Sequence, residues 1–283
     1  MRPRQWVKNG VLFAALLFTL DQRHSVADLI RLLGGFACFC AIASATYLWN
    51  DLWDLEQDRK HPRKRHRPLA SGRLPRRVAS VALVVLLAAG VGGSLALGIP
   101  FAGVAIGYAL LTLLYSVWLK HQVILDVMAL AGGFVLRAVA GAVALAVEIS
   151  PWLLVCTTLG ALFLGLSKRR AEIALLADGA ASHRPILSEY TVPLLDQLIG
   201  IVSASTLISY CLYTLSSKTG AQHPALVLTI FPVAYGLFRF LYLIHRRDSG
   251  GDPTADLLED RPLMVAVLLW GAMVAAILRF SVR

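Results

Sequence analysis

Three aspartates, and the run of cations behind them, are the first chemistry this sequence offers. The segment 50–77 reads NDLWDLEQDRKHPRKRHRPLASGRLPRR. At 3.6 residues per turn, Asp51, Asp54 and Asp58 fall within about 60° of one helix face, with Glu56 on the other side. Carboxylates so placed repel one another unless a cation lies between them. Such hard oxygen ligands suit Mg²⁺, which usually takes one or two carboxylates and fills its shell with phosphate oxygens and water. The nine cations from Arg59 to Arg77 suit a phosphorylated ligand. The pattern predicts a Mg²⁺–diphosphate site at the end of an apolar helix, with Asn50 in front of it. The plainer alternative is that the aspartates are solvated helix-end charges and the basic run only sets membrane topology.

Further candidates lie downstream. The stretch YSVWLKHQVILDV carries Tyr115, Lys120 and Asp126. A lysine at a helix end is also placed to snorkel, and Asp126 to cap the next helix, so spacing leaves both readings open. Arg137 falls about three turns into an apolar span, where a charge costs roughly 2.5–3.5 kcal/mol. It requires a lipid phosphate, a substrate phosphate, an inward aspartate or a structural ion pair. Gly132 and Gly133 before it allow close helix approach. Arg239, nearer a helix end, reads as a snorkelling side chain. Lys168, Arg169 and Arg170 end an apolar run, with Glu172 one turn after Lys168. They read either as a topology stop or as a cationic wall for the ligand of the aspartates. Gly250, Gly251 and Pro253 mark a turn.

The elements that must position these residues are membrane helices. Of 283 residues, 57% are hydrophobic, above the roughly 45–50% of soluble chains, and the 16% that are charged are clumped between long apolar stretches. The expected class is an all-α integral membrane protein, a single domain over 1–283. It has about nine spans: a short N-terminal one within 1–20 with Trp6 as interfacial anchor, then 28–49, 78–97, 101–119, 127–147, 151–167, 194–215, 225–244 and 262–280. Pro62, Pro68 and Pro75 make the basic segment a loop. With the N-terminus inside, twenty Lys and Arg fall on the inner side and five on the outer. That asymmetry predicts N-in, C-out, with the chemistry at the cytoplasmic face. It also explains the net charge of +10 without nucleic acid. Cys38, Cys40, Cys156 and Cys211 lie in apolar runs and read as small buried residues rather than disulfides or metal ligands.

The motif NDxxDxxxD after an apolar helix resembles the first aspartate-rich motif of the UbiA superfamily of membrane prenyltransferases. Five strings, RPRQWVKN, NDLWDLEQDRKHPRKRHRPLASG, YSVWLKHQVILDV, GFVLRAVAG and SKRRAE, occur in the order of its decaprenyl-phosphate phosphoribosyltransferase branch. General UbiA members carry a second acidic motif after the sixth span, where Lys168-Arg169-Arg170-Ala171-Glu172 stands here. The resemblance implies a UbiA-like bundle and a donor, 5-phosphoribosyl-1-diphosphate, with one phosphate more than a prenyl diphosphate. The implied acceptor is a polyprenyl (decaprenyl) monophosphate in the bilayer, and the product feeds arabinose-containing envelope glycans. It implies Asp51, Asp54 and Asp58 on Mg²⁺, and Asn50, Lys64, Arg67, Tyr115, Lys120, Lys168, Arg169, Arg170 and Glu172 toward the donor. Lys8 or Arg137 would meet the lipid phosphate. The alternative is prenyl transfer to an aromatic or tetrapyrrole acceptor, which would need compensating carboxylates from Asp126, Glu172 or Asp178. Either is compatible with a homo-oligomer. A phosphate monoester is largely ionised at neutral pH, with a second pKa of about 6. The first reaction therefore needs no strong base, and His61 and His66 read as surface residues of the loop.

Overall fold

The computed structural model describes residues 3–60, 64–175, 185–246, 256–257 and 259–280. Of the residues singled out above, His61, Pro62, Asp178, Gly250, Gly251 and Pro253 lie outside these, as does the side chain of Lys64. Every regular element among the described residues is helical. Apart from three short 3-10 turns, at Lys64–His66, Leu119–His121 and Pro185–Glu189, they are in chain order a 3-10 helix Pro3–Phe13, α1 (Ala14–Leu17), α2 (Val26–Trp53), α3 (Leu55–Lys60), α4 (Arg76–Leu97), α5 (Ile99–Val117), α6 (Leu125–Ala144) and α7 (Pro151–Leu175). Then come α8 (Val192–Ser216), α9 (Lys218–Gln222), a 3-10 stretch Pro224–Thr229 running into α10 (Ile230–Arg246), and α11 (Arg261–Phe280).

Among the described residues, eight helices are long and apolar enough to cross a membrane, among them α2, α4, α5, α6, α8 and α11. The N-terminal segment, expected as a further span, is wound as the 3-10 helix followed by the single turn of α1. Its 11 residues cover roughly 22 Å at about 2.0 Å per residue, where an α-helix would cover about 16 Å. The short apolar run thus reaches further than its residue count suggests. The 3-10 winding also places every third residue on one line. Trp6, Asn9 and Leu12 form that line, and Asn9 and Leu12 are fully buried.

The chain forms two compact units. The first comprises Met1–Phe13 and Ser25–Glu148, the second Ala14–His24 and Ile149–Arg283. In the first unit α2 starts at a reciprocal cap, in which Ser25 Oγ accepts from Asp28 N and Asp28 Oδ2 accepts from Ser25 N. Its start therefore precedes the 28–49 reading. Helix α2 packs most extensively on α4, and small residues set the distance. A Cβ at Gly90 would lie 2.6 Å from Ile42 Cγ1 and 3.1 Å from the Cys38 carbonyl oxygen. Helix α6 is the enclosed one, with 56% of its apolar window buried against 17% for α4. A helix surrounded by protein rather than lipid can carry a charged side chain. The N-terminal 3-10 helix lies on α6 and α2. It approaches α6 so closely that a Cβ at Gly141 would overlap the Leu12 carbonyl oxygen.

In the second unit α7 packs along α8, and α10 packs on α8 and α11. Leu226, Val274 and Leu278 form a buried cluster with Phe18 and Trp270 around it. The Trp270 indole N–H donates to Tyr210 Oη, 2.7 Å away, and Thr229 Oγ1 lies 2.7 Å from the same oxygen. All four cysteines are free thiols.

The Gly141 contact is testable. Gly141→Ala should cost about 1–3 kcal/mol, because the obstacle is backbone that cannot rotate away. Gly103→Ala, with open space around its Cβ position, should be neutral or slightly stabilising. Thermal unfolding of both variants in detergent checks the contrast.

Candidate active site

Helix α2 ends within the aspartate motif. Asp54 caps it at φ −91°, ψ 11°, and α3 begins at Leu55. The expected uninterrupted helix face is therefore broken at its middle carboxylate. The hydrogen-bond spacing nevertheless carries across the break: Asp54 N donates to Asn50 O at 2.9 Å and Asp58 N to Asp54 O at 2.8 Å. Asp58 consequently returns to the side of Asp51 and is only 3% exposed, while Asp54 is released toward a different partner.

Those partners come from two other pieces of chain. The basic loop folds back because Leu69, itself buried, packs with Leu48, Leu55 and Ala79. Two backbone bonds close the turn behind it, Ser71 N to Arg67 O and Leu74 N to Pro68 O, both 2.8 Å. Gly72, at φ 79°, supplies the left-handed residue that turn needs. Arg67 is thereby laid across the helix end. Its Nη1 donates to Asp51 Oδ1 at 3.1 Å and to Asp58 Oδ2 at 2.6 Å. The second base is Lys120, on the 3-10 turn Leu119–His121 after α5, 5% exposed, whose Nζ donates to Asp54 Oδ1 at 2.7 Å. A strained turn follows. Ile124 sits at φ 67°, ψ −45°, with Leu125 N bonded to Val123 O at 2.7 Å. A β-branched residue held there costs about 1–3 kcal/mol. The turn closes the loop tightly enough to begin α6 with Asp126 fully buried in its first turn.

Among the described residues, no three acidic, histidine or cysteine side chains converge as a ready-made metal cage. The physical reason is the pairing just described: each aspartate is drawn to a base of the chain. The donor set still fits Mg²⁺, because one guanidinium nitrogen already lies within hydrogen-bond distance of oxygens from both Asp51 and Asp58. A cationic centre there stands in for a hard cation, which needs only one or two carboxylates when phosphate oxygens complete its shell.

The remaining candidates are distributed as follows. Asn50 and Tyr115 are half-buried near the ends of α2 and α5, and Lys8 is half-buried on the N-terminal 3-10 helix. Arg137, buried on α6, is neither snorkelling nor ion-paired among the described residues. Its Nε donates to Asn9 Oδ1 (2.7 Å), Nη1 to Gly133 O (2.8 Å) and Nη2 to Tyr108 Oη (2.7 Å). Its guanidinium lies 4.5 Å from the Tyr108 ring centroid. Asn9 Nδ2 in turn donates to Cys40 Sγ, and Trp6 Nε1 to Ser44 Oγ, so three polar contacts bolt the N-terminal segment to α2 and α6. Asn9 and Tyr108 were not singled out in the sequence, where the buried arginine itself was the only signal that polar partners must exist.

In the second unit, Arg169 is 1% exposed and bonds Glu172 Oε2 at 2.5 Å, so it is Arg169, three residues away, that the structure pairs with Glu172. Arg170 Nε bonds Asp196 Oδ1 at 2.5 Å, and its Nη1 bonds the Ile244 carbonyl at 3.0 Å. Lys168 is half-buried on the same helix. Arg239, expected to snorkel, instead forks onto both oxygens of Asp260, at 3.1 and 2.8 Å, while Asp260 caps α11 through Leu263 N. Asp196 and Asp260 are the partners sequence reading missed. An aspartate immediately before Arg-Pro at a helix start was the available cue for Asp260.

The profile of the UbiA prenyltransferase family matches residues 11–258. The chain belongs to this family. It is 36% identical over 275 residues to the decaprenyl-phosphate phosphoribosyltransferase of Corynebacterium glutamicum, across 95% of this chain and 82% of that protein. It is 32% identical over 286 residues to the protein of that name from Mycobacterium tuberculosis, across 99% and 93%. Among solved structures, a UbiA homolog from Archaeoglobus fulgidus bound to GPP and Mg²⁺ aligns with a TM-score of 0.72 at 20% identity, over 98% of this chain and 97% of that one. At that identity the likeness is one of fold. The UbiA match runs through both compact units, and this UbiA-family chain is a membrane transferase.

If Leu69 pins Arg67, Leu69→Ala should cost about 2–3 kcal/mol and loosen the loop. Trypsin should then cut within 59–77 faster than in the wild type, at temperatures where both remain folded.

Proposed function

We propose that this UbiA-family chain transfers the 5-phosphoribosyl group of 5-phosphoribosyl-1-diphosphate to a polyprenyl monophosphate, decaprenyl phosphate in the first instance, releasing diphosphate. The observation that carries this reading is the near full-length identity to two proteins named decaprenyl-phosphate phosphoribosyltransferase. The aspartate cluster, met by two bases, supports it chemically.

The bond that breaks joins ribosyl C1 to the diphosphate oxygen, and the bond that forms joins C1 to an oxygen of the acceptor phosphate. Asp51, Asp54 and Asp58 would hold Mg²⁺, which when bound would supply charge neutralisation for the diphosphate leaving group. Arg67 and Lys120 are assigned to the same developing charge, as donors already poised at the cluster. Asn50, at the carboxylate end of α2, is assigned to orienting the donor. No side chain need remove a proton, because the acceptor phosphate is already an anion. Lys8 is assigned to that acceptor phosphate. Arg137, through Asn9, holds the segment that carries Lys8. The cytoplasmic leaflet of the bacterial inner membrane is the proposed location, on the charge asymmetry of the loops, and arabinose-containing envelope glycans are the proposed destination of the product.

A second reading, prenyl transfer from a prenyl diphosphate, is favoured by the family's name and by the GPP-bound neighbour. It is disfavoured by Lys168-Arg169-Arg170 standing where such enzymes resemble one another in a second acidic motif. One experiment separates the two. Purified protein in detergent receives labelled phosphoribosyl diphosphate, decaprenyl phosphate and Mg²⁺, with EDTA as control. Label should enter the lipid fraction only with Mg²⁺. Asp54→Ala should lower turnover at least about 100-fold while the protein stays folded. Transfer from geranyl diphosphate to an aromatic acceptor, with no ribosyl transfer, would overturn the assignment.

A further inference from the structure

A single nitrogen, Arg67 Nη1, bonds Asp51 Oδ1 and Asp58 Oδ2 together. Those are oxygens a divalent ion would have to use, so guanidinium and metal compete for one position. The two bases of the cluster are differently mounted. Lys120 is 6% exposed in its side chain and enclosed between α5 and α6. Arg67 is 26% exposed and sits on a loop pinned two residues further on, at Leu69, so its side chain can leave without unrolling a helix. A divalent ion arriving alone would have to expel Arg67 from both carboxylates. Arriving with a diphosphate, it brings phosphate oxygens that accept the displaced guanidinium.

Resting on the reading of this cluster as a Mg²⁺–diphosphate site, we propose that Arg67 is a tethered stand-in for the metal. It closes the carboxylates while the donor is absent and moves to the donor's phosphates when the donor enters. Metal uptake is thereby conditional on diphosphate, and by thermodynamic reciprocity each strengthens the binding of the other. Arg67 is in this sense a gate on the metal as well as a ligand of the donor. A cell's free Mg²⁺ then does not load the site, and the metal arrives as the donor's complex.

The test is Mn²⁺ binding to the purified full chain in detergent, followed by electron paramagnetic resonance, with inorganic diphosphate as probe and protein-free diphosphate as control. Wild type should bind Mn²⁺ weakly alone and strongly with diphosphate. Arg67→Gln should bind Mn²⁺ alone about tenfold or more tighter than wild type, the scale of one charge-assisted hydrogen bond removed from competition. Its diphosphate affinity should fall, and Arg67→Lys should lie between. In EDTA, Arg67→Gln should melt below wild type and recover on adding Mn²⁺ alone, whereas wild type should barely respond. Should the variant require metal to fold, it is prepared in Mn²⁺ and titrated with chelator, which yields the same affinity. An Arg67→Gln protein with unchanged or weaker Mn²⁺ binding in the absence of diphosphate overturns the stand-in role. Wild type that takes up no Mn²⁺ even with diphosphate overturns the underlying site instead.

Discussion

Charge compensation at the end of one helix is the constraint on which the rest of the first unit depends. Three carboxylates within eight residues do not stay together, largely out of water, without cations between them. The chain meets that requirement with bases from two distant places, Arg67 and Lys120, and each has structural conditions of its own. Arg67 requires the loop to turn back, which Leu69 achieves by joining the core of α2 and α4. Lys120 requires α5 to stop and α6 to begin within a few residues, which the strained Ile124 turn achieves. The pairings are worth little as exposed ion pairs; their strength comes from the burial of Asp58 and Lys120, where losing either partner strands a charge.

A second polar centre obeys the same rule by different means. Arg137 is buried inside the most enclosed helix of its unit, and no carboxylate meets it among the described residues. Three neutral acceptors and an aromatic face hold it instead. The charge is retained at the cost of fixing Asn9 and Tyr108, and through Asn9 the whole N-terminal segment. The close approach at Gly141 gives that segment the proximity the hydrogen bond requires.

Much of this was legible in the sequence. Apolar runs separated by clumped charges announced the helices. The aspartate spacing and the cations behind it announced the cluster, because the spacing of hydrogen bonds survives the break at Asp54. What could not be read was pairing. Which base meets which acid depends on where a loop lands, and Leu69, one apolar residue in a basic run, decides that for Arg67. The same holds for Arg170 with Asp196 and Arg239 with Asp260, partners 26 and 21 residues apart that no helical spacing connects. The winding of the N-terminal segment was hidden for another reason: its buried residues recur every third position, a rhythm distinct from the 3.6 of an α-helix.

That rhythm restricts how the segment can change over evolutionary time. In a helix with three residues per turn, one inserted or deleted residue rotates everything beyond it by about 120°. Between Trp6 and Leu12 such a change would carry Asn9 away from Arg137, or Leu12 away from the notch at Gly141, however conservative the inserted residue. Length variation in this stretch should therefore come in steps of three, whereas Val7, exposed on the outer side, is free to vary in identity. The beginning of the chain is thus tightly constrained in its counting and loosely constrained in its composition.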